Sequence, residues 1–338
     1  MDAQYSAGRD AKLRQWIDLI RESGRNHKYD CIVGVSGGVD SSYILTMVKD
    51  AGLRPLAVHF DNGWNSELAA TNINTLLTAL DIDLVTYVVD WEEFRSLQLA
   101  FLRASVPDAE IPTDHGIVSL LYKMAVKHNI KYIISGNNYK SEGTVPLRWT
   151  YGILDGKYIS AINKLYGDRG IKSYPLFGMA KMMKYVYVNK IVNVALLNYL
   201  DYDKENAKKA MNEKYGWRPY EGKHYESIYT RFFQGYILPT KFGIDKRRVH
   251  LSALINSGQM TREAALEELK TPPLSEEIVK NDIEYVTKKL GIPMQQFEDI
   301  MNSPVKSFMD YESYNNWIVR ARKHKSTLQK LHLWPNAW

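Results

Sequence analysis

The chain has 338 residues, 45% hydrophobic and 24% charged. That composition excludes a peptide module or a disordered tail and calls for a sizeable core, built as one large domain with an appendage or two packed domains. Lys and Arg number 44 against 38 Asp and Glu, a formal charge of +6, which suits a phosphorylated small substrate as well as RNA. The single cysteine, Cys31, excludes an internal disulfide framework and a structural zinc site of several cysteines, and fits a reducing compartment.

Residues 1–28 have no apolar signal-peptide core and are expected to form one charged helix. From about residue 30 to 135, short apolar runs alternate with amphipathic patterns. Cys31–Val35, Leu56–Phe60, Leu84–Val89 and Tyr132–Ser135 are near-continuously apolar, as strands covered on both faces are. Ile44, Met47, Val48 and Ala51 keep helical spacing, as do Ile117, Leu120, Leu121, Met124 and Ala125, with Asp114 as the expected N-cap. The order βαβαβαβ predicts a doubly wound parallel α/β sheet with ligands at the carboxyl ends of its strands.

After about residue 176 the strand signal fades and a mainly helical, aromatic region begins. There Thr261 with Glu263 opens one helix, and Ser275 with Glu276 and Glu277 opens another that closes at Lys288, Lys289 and Gly291. The expected organisation is an N-terminal helix (1–28), an α/β domain (29–175) and a helical region (176–338) that supplies phosphate- and substrate-binding residues. The apolar stretch Ile191–Leu200 is too short to cross a membrane and is interrupted by Asn193 and Asn198, so a cytoplasmic protein without membrane contact is expected.

The strongest chemical signal is Ser36-Gly-Gly-Val-Asp-Ser-Ser42, directly after the first strand and before the first helix. Gly37 and Gly38 let bare N–H groups face an anion, Ser36, Ser41 and Ser42 add hydroxyl donors, and the helix N-terminus points at the same place. Neither GxxxxGK[ST] nor GxGxxG is present, so this is neither a P-loop nor a dinucleotide fingerprint. The motif SGGxDS resembles the pyrophosphate loop of the N-type ATP pyrophosphatases, which cleave ATP between the α- and β-phosphates to adenylate an acceptor. That resemblance implies a HUP-like fold, ATP and Mg²⁺ as cofactors, and Asp40 as a metal ligand.

Val58-His-Phe-Asp-Asn-Gly63 closes the second strand, where the resembling family grips adenine through backbone groups and borders the ribose. Val58 and Phe60 suit a flat apolar base, and His59 suits a half-buried strand position. Asp61 and Asn62 are open to two readings, a plain turn or a contact with ribose or metal. After the fourth strand, Gly136 and Asn137 match the family's turn near the α-phosphate. Glu142 is either a second metal ligand or a solvated loop carboxylate. Lys246, Arg247 and Arg248 in the basic run Lys241–Arg248 are the candidates for closing over the departing phosphates, the alternative being a solvated charged face.

The block Tyr215–Ser227, followed by Tyr229–Tyr236 and Lys241–Ser252, resembles the C-terminal signature of the N-acetyl sugar amidotransferases of bacterial surface-polysaccharide biosynthesis. This implies conversion of an acetamido group on a nucleotide-linked sugar to an acetamidino group through an adenylated imidate. It further implies ammonia from a glutaminase partner resembling the histidine-pathway pair, and no nucleic acid. Another amide-forming or tRNA-modifying adenylating enzyme is the competing reading. Lys223, His224, Glu226 and Arg231, interleaved with aromatics, are the candidate sugar-nucleotide contacts. An amphipathic helix packing its aromatic stripe is the other explanation. Many members of that family begin with a cysteine-rich zinc segment, which this sequence does not contain.

Overall fold

The computed structural model describes residues 8–317 apart from 144, 147, 221, 223, 224 and 316. Helix α1 (Arg9–Gly24) precedes a sheet whose strands are β1 (Cys31–Gly34), β2 (Pro55–Asp61), β3 (Leu84–Val88), β4 (Tyr132–Ile134) and β5 (Val192–Val194). All neighbours pair in parallel, in the order 3-2-1-4-5. The crossovers are helical: α2 (Val39–Asp50), α3 (Glu67–Leu80), α4 (Trp91–Arg103) and α5 (Ile111–Lys127), with α6 (Gly156–Tyr166) and α7 (Met179–Met183) between β4 and β5. The protein is thus a doubly wound, HUP-like α/β fold, and the strand order reverses between β1 and β4, where such sheets leave a crevice.

Alternation along β1 shows how the sheet is covered. Ile32 joins Leu56, Val58, Phe60 and Ile133 in a core under α4 and α5, whereas Cys31 and Val33 join Ala57, Ile134 and Val194 beneath α1, α2 and α3. Each such aliphatic side chain, removed fully from water, contributes about 1.5–3 kcal/mol. The expectation of strands buried on both faces holds for β1 and β2. It fails for β3, whose residues alternate between exposed and half-buried because this strand lies at the sheet edge.

Two boundaries differ from the sequence reading. Helix α5 begins at Ile111, and Pro112, with φ pre-set for a first turn, allows that start, so Asp114 lies inside the first turn rather than capping it. The sheet also takes its fifth strand from beyond residue 176, where no strand was expected. β5 has only three residues, two of them exposed, which gives periodicity nothing to detect.

The later helices are α8 (Lys204–Tyr215), α9 (Ile228–Phe232), α10 (Leu238–Phe242), α11 (Arg247–Asn256), α12 (Arg262–Glu268), α13 (Glu276–Leu290) and α14 (Met294–Asn302). The expected caps are present. Thr261 accepts from Ala264 N–H, Ser275 accepts from Ile278 N–H, and Gly291 closes α13 at φ +67°. Helix α13 is fastened to the end of β2 by Lys289, whose ammonium donates to the Gly63 carbonyl and lies 4.9 Å and 5.3 Å from the Trp64 and Trp91 rings. Among the described residues no helix is long and apolar enough to cross a membrane.

Candidate active site

The turn between β1 and α2 is built as its glycines require. Gly37 has φ +81°, and a Cβ there would meet the Ala69 carbonyl oxygen at 2.8 Å. Ser36 and Ser41 hydroxyls lie 3.1 Å apart, Gly38 N–H donates to Ser36 Oγ at 3.3 Å, and Ser41 Oγ donates to the Gly38 carbonyl at 3.2 Å. Ser42 is buried in the first turn of α2. The loop is therefore preformed, with the N-terminus of a twelve-residue helix behind it.

Below the loop, His59 is buried with Nδ1 2.8 Å from the Val35 carbonyl and Nε2 2.9 Å from Asn65 Nδ2. An Nδ1–H tautomer satisfies both contacts, so His59, buried rather than half-buried as the sequence suggested, braces the entry to the loop.

Asp40 occupies the first turn of α2. Its Oδ1 accepts from the Tyr202 hydroxyl at 2.6 Å and from Asn138 Nδ2 at 3.3 Å, and its Oδ2 lies 3.3 Å from the Lys204 ammonium. Burial and the Asp40 carboxylate raise the Tyr202 pKa, which keeps that phenol a donor. Gly136 belongs to the same junction, because a Cβ there would come within 3.0 Å of the Asp40 carbonyl carbon and the Ser41 nitrogen. Asn137 is exposed, whereas its neighbour Asn138 is buried and also accepts from Ser141 N–H at 2.9 Å. Asn138, Tyr202 and Lys204 are site residues that the sequence did not single out. Two of them come from the segment entering α8, more than 150 residues from Asp40.

The β2 end is arranged differently from the sequence expectation. Val58 and Phe60 spend their side chains in the core, Phe60 stacked on Tyr87 at 5.9 Å and lying against Gly116, so their apolar surfaces pack protein instead of presenting a face for a base. Asp61 accepts from Gly63 N–H at 2.9 Å, and Asn62 bonds Thr113 and Trp64 N–H, which makes this segment a turn. Trp64 is fully buried against Tyr229 and Trp91.

The aromatic block comes to the loop. Tyr220 donates to the Gly37 carbonyl at 2.9 Å, Asn72 exchanges two hydrogen bonds with Arg218, and Ser66 N–H donates to the Glu226 carbonyl at 2.9 Å. The Glu226 carboxylate approaches the position a Cβ on Gly38 would take to 3.5 Å. Arg231, by contrast, is a clamp. It donates to Asp282 at 3.0 Å and 2.5 Å and lies 4.8 Å from the Tyr225 ring centre. Lys223 and His224 lie outside the described residues.

The three late cations separate. Arg247 is held by Asp245 and by the Glu268 and Thr271 carbonyls, Arg248 is exposed, and Lys246 turns toward Glu110 at 3.8 Å. Helix α11, which follows Lys246, is fixed to the loop after β4 by His250 Nδ1 at 3.3 Å from the Ser141 carbonyl and by Ser257 donating to the Lys140 carbonyl. Glu142 acts electrostatically on Asp114. Among the described residues, no three His, Cys, Asp or Glu side chains converge to cage a metal ion. Cys31 is fully buried, and burial raises its pKa, so it remains a protonated core thiol.

The parallel sheet of order 3-2-1-4-5 places the Ser36–Ser42 loop at its switch point, as a nucleotide-binding α/β fold does. Residues 226–324 match the family described as LPS biosynthesis protein WbpG-like, C-terminal domain. The chain is 21% identical over 180 residues to a tRNA(Ile)-lysidine synthase from Chlamydia felis (strain Fe/C-56), a match covering 53% of each sequence. It thus spans about half the length of that curated relative. Among solved structures, an NH3-dependent NAD synthetase from Campylobacter jejuni aligns at 18% identity, covering 79% of this chain and 99% of that one, with a TM-score of 0.34. An NMN synthetase from Francisella tularensis aligns at 14% identity, covering 64% and 98%, with a TM-score of 0.31.

Proposed function

We propose that this protein is an ATP-dependent, AMP-forming amidotransferase that converts the acetamido group of a nucleotide-linked sugar to an acetamidino group in lipopolysaccharide biosynthesis. The observation that carries this reading is the seating of the WbpG-like region on the phosphate loop: its first residue, Glu226, lies against Gly38, just after Tyr220 has bonded Gly37. The loop would hold the phosphates through its N–H groups and the Ser36, Ser41 and Ser42 hydroxyls. The sugar nucleotide would enter on the side where Tyr220 and Glu226 meet the loop. Attack of the amide oxygen on the α-phosphorus expels pyrophosphate and leaves an O-adenylated imidate. Ammonia then adds to its carbon, AMP departs with the former amide oxygen, and loss of a proton gives the amidine. Lys246 and Lys204 are the cations in this reading that face the strand ends.

The residues fit a magnesium ion that arrives with the nucleotide phosphates better than a resident one, since such ions take one or two carboxylates and complete their shell with phosphate and water. Asp40 would hold it in place of the Lys204 ammonium, and it would supply charge to the leaving pyrophosphate. A glutaminase partner is proposed as the ammonia source because free ammonia is mostly protonated at neutral pH. The lysidine synthase relative favours a second reading, a tRNA-modifying adenylating enzyme.

The test is a mass-spectrometric assay with Mg-ATP, ammonium and a panel of nucleotide-linked acetamido sugars. AMP together with an O-to-NH mass change supports the proposal. AMP formation that requires tRNA transfers support to the second reading, and ADP formation overturns both.

A further inference from the structure

Anion binding by the phosphate loop depends on which way the peptide between Gly37 and Gly38 faces. A trans peptide carries its N–H and its carbonyl on opposite edges, so turning it over puts a carbonyl oxygen where an anion needs a donor. The turn changes Gly37 ψ and Gly38 φ, and a glycine on each side tolerates either sign. Gly37 stands at φ +81°, and Gly38 at φ −69° and ψ 165°. Sterics alone therefore leave this peptide free to face either way.

Its two edges are held from different parts of the chain. The Gly38 N–H donates to Ser36 Oγ at 3.3 Å, and Ser36 Oγ lies 3.1 Å from Ser41 Oγ, so this edge faces the hydroxyl donors. On the opposite edge the Gly37 carbonyl accepts from the Tyr220 hydroxyl at 2.9 Å, across 183 residues of sequence. Tyr220 is itself held in place. Its ring centre lies 5.8 Å from that of the fully buried Trp217, in an edge-to-face arrangement. Asn72 on α3, 1% exposed, exchanges hydrogen bonds of 2.8 Å and 2.9 Å with the Arg218 backbone two residues before Tyr220. Burial raises the Tyr220 pKa, a hydrogen bond with Asn72 opposes this and the Glu226 charge adds to it, so the hydroxyl stays protonated and able to donate.

We propose that Tyr220 is a positioning residue that fixes the Gly37–Gly38 peptide with the Gly38 N–H on the phosphate side of the loop. The phenol acts through the Gly37 carbonyl and touches neither phosphate nor acceptor. Tyr220 belongs to the segment leading into the WbpG-like region, so the loop takes its anion-binding form when that segment is seated on α3. The inference rests on the phosphate-binding part of the reading above and not on which acceptor is adenylated.

The test compares the full chain with its Tyr220→Phe variant, which keeps the ring against Trp217 and removes the donor. Inorganic pyrophosphate and ATP are each titrated calorimetrically into both proteins, and the Gly38 amide is followed by NMR of protein labelled at its glycine nitrogens. The variant should bind pyrophosphate and ATP about five-fold more weakly, the size of one lost hydrogen bond. It should also show a second set of Gly38 signals from the turned peptide, a signature that a merely structural tyrosine does not produce. Equal affinities in the two proteins overturn the proposal, and so does weaker binding with a single, unshifted Gly38 signal. A parent protein that binds neither pyrophosphate nor ATP removes the phosphate-loop reading and this inference with it, whereas binding that Tyr220→Phe retains removes this inference alone.

Discussion

At the residue scale, Asp40 is where the chemistry and the architecture meet. Its carboxylate sits at the start of α2 and is held from two other segments, by Asn138 after β4 and by Tyr202 and Lys204 at the entry to α8. Asp40→Ala should lower AMP formation at least about 100-fold, the size expected when a group that stabilises developing charge is lost. The same variant should keep its far-ultraviolet circular dichroism, because the Asp40 side chain is partly exposed at the helix start and its loss removes local hydrogen bonds rather than core packing. Measured AMP release within ten-fold of the parent would sink the role given to Asp40. Gly136 tests the junction from the other side. Its missing Cβ is what lets the β4 turn lie against Asp40 and Ser41, and backbone atoms 3.0 Å away cannot give as a flexible side chain would. Gly136→Ala should cost about 1–3 kcal/mol of stability and weaken ATP binding together. Urea unfolding and equilibrium nucleotide binding read the two effects, and an unchanged midpoint with unchanged affinity would show that the turn has slack.

At the element scale, the C-terminal helices act as a brace for the strand ends. Arg231 on α9 and Asp282 on α13 make a bidentate pair with side chains 18% and 4% exposed. Removing the cation alone strands a carboxylate in a dry place, so Arg231→Met should destabilise by about 3–5 kcal/mol, and Arg231→Met combined with Asp282→Leu should recover most of it. A sugar-contacting role predicts the opposite pattern, a higher KM with the unfolding midpoint unmoved, so one denaturation series and one kinetic series decide between them. The same pair shows what was legible beforehand. The strands β1, β2 and β4, the phosphate loop and the caps of α12 and α13 follow from local composition, which a sequence displays directly. The partners of Arg231, of Asp40 and of Lys289 were not legible, because each is chosen by tertiary approach between segments with no periodic relation. β5 was missed for a local reason, three residues at a sheet edge, and the direction of the Phe60 side chain was not legible because an apolar strand end looks the same whether it faces a ligand or a helix.

At the scale of the whole molecule, two buried groups of opposite sense contribute to the response to acid. His115 is fully buried on α5, stacked on Phe177 at 4.5 Å, with Nδ1 2.8 Å from the Ile153 carbonyl and Nε2 accepting from Phe177 N–H at 3.1 Å. It therefore joins α5 to the chain around α6 as a neutral ring, and burial lowers its pKa to about 4. Between pH 6.5 and 4 the unfolded chain takes up a proton there that the folded chain refuses. His115 thus contributes full stability above pH 6.5 and subtracts about 2 kcal/mol by pH 5. Asp108 works the other way. Burial raises its pKa to about 6, so between that pH and the ordinary carboxylate value the folded state binds the extra proton, and acidification relieves it. The two contributions oppose each other over the same interval, and the parent protein should show only a shallow stability profile from this pair. Replacing one partner exposes the other. His115→Asn should be less stable than the parent at pH 7, with the gap narrowing by about 2 kcal/mol at pH 5, whereas any gap caused by Asp108→Asn should widen on the same acidification. Urea unfolding of the three proteins at both values measures this directly, and parallel profiles for the parent and His115→Asn would mean that the ring is protonated in the folded state after all.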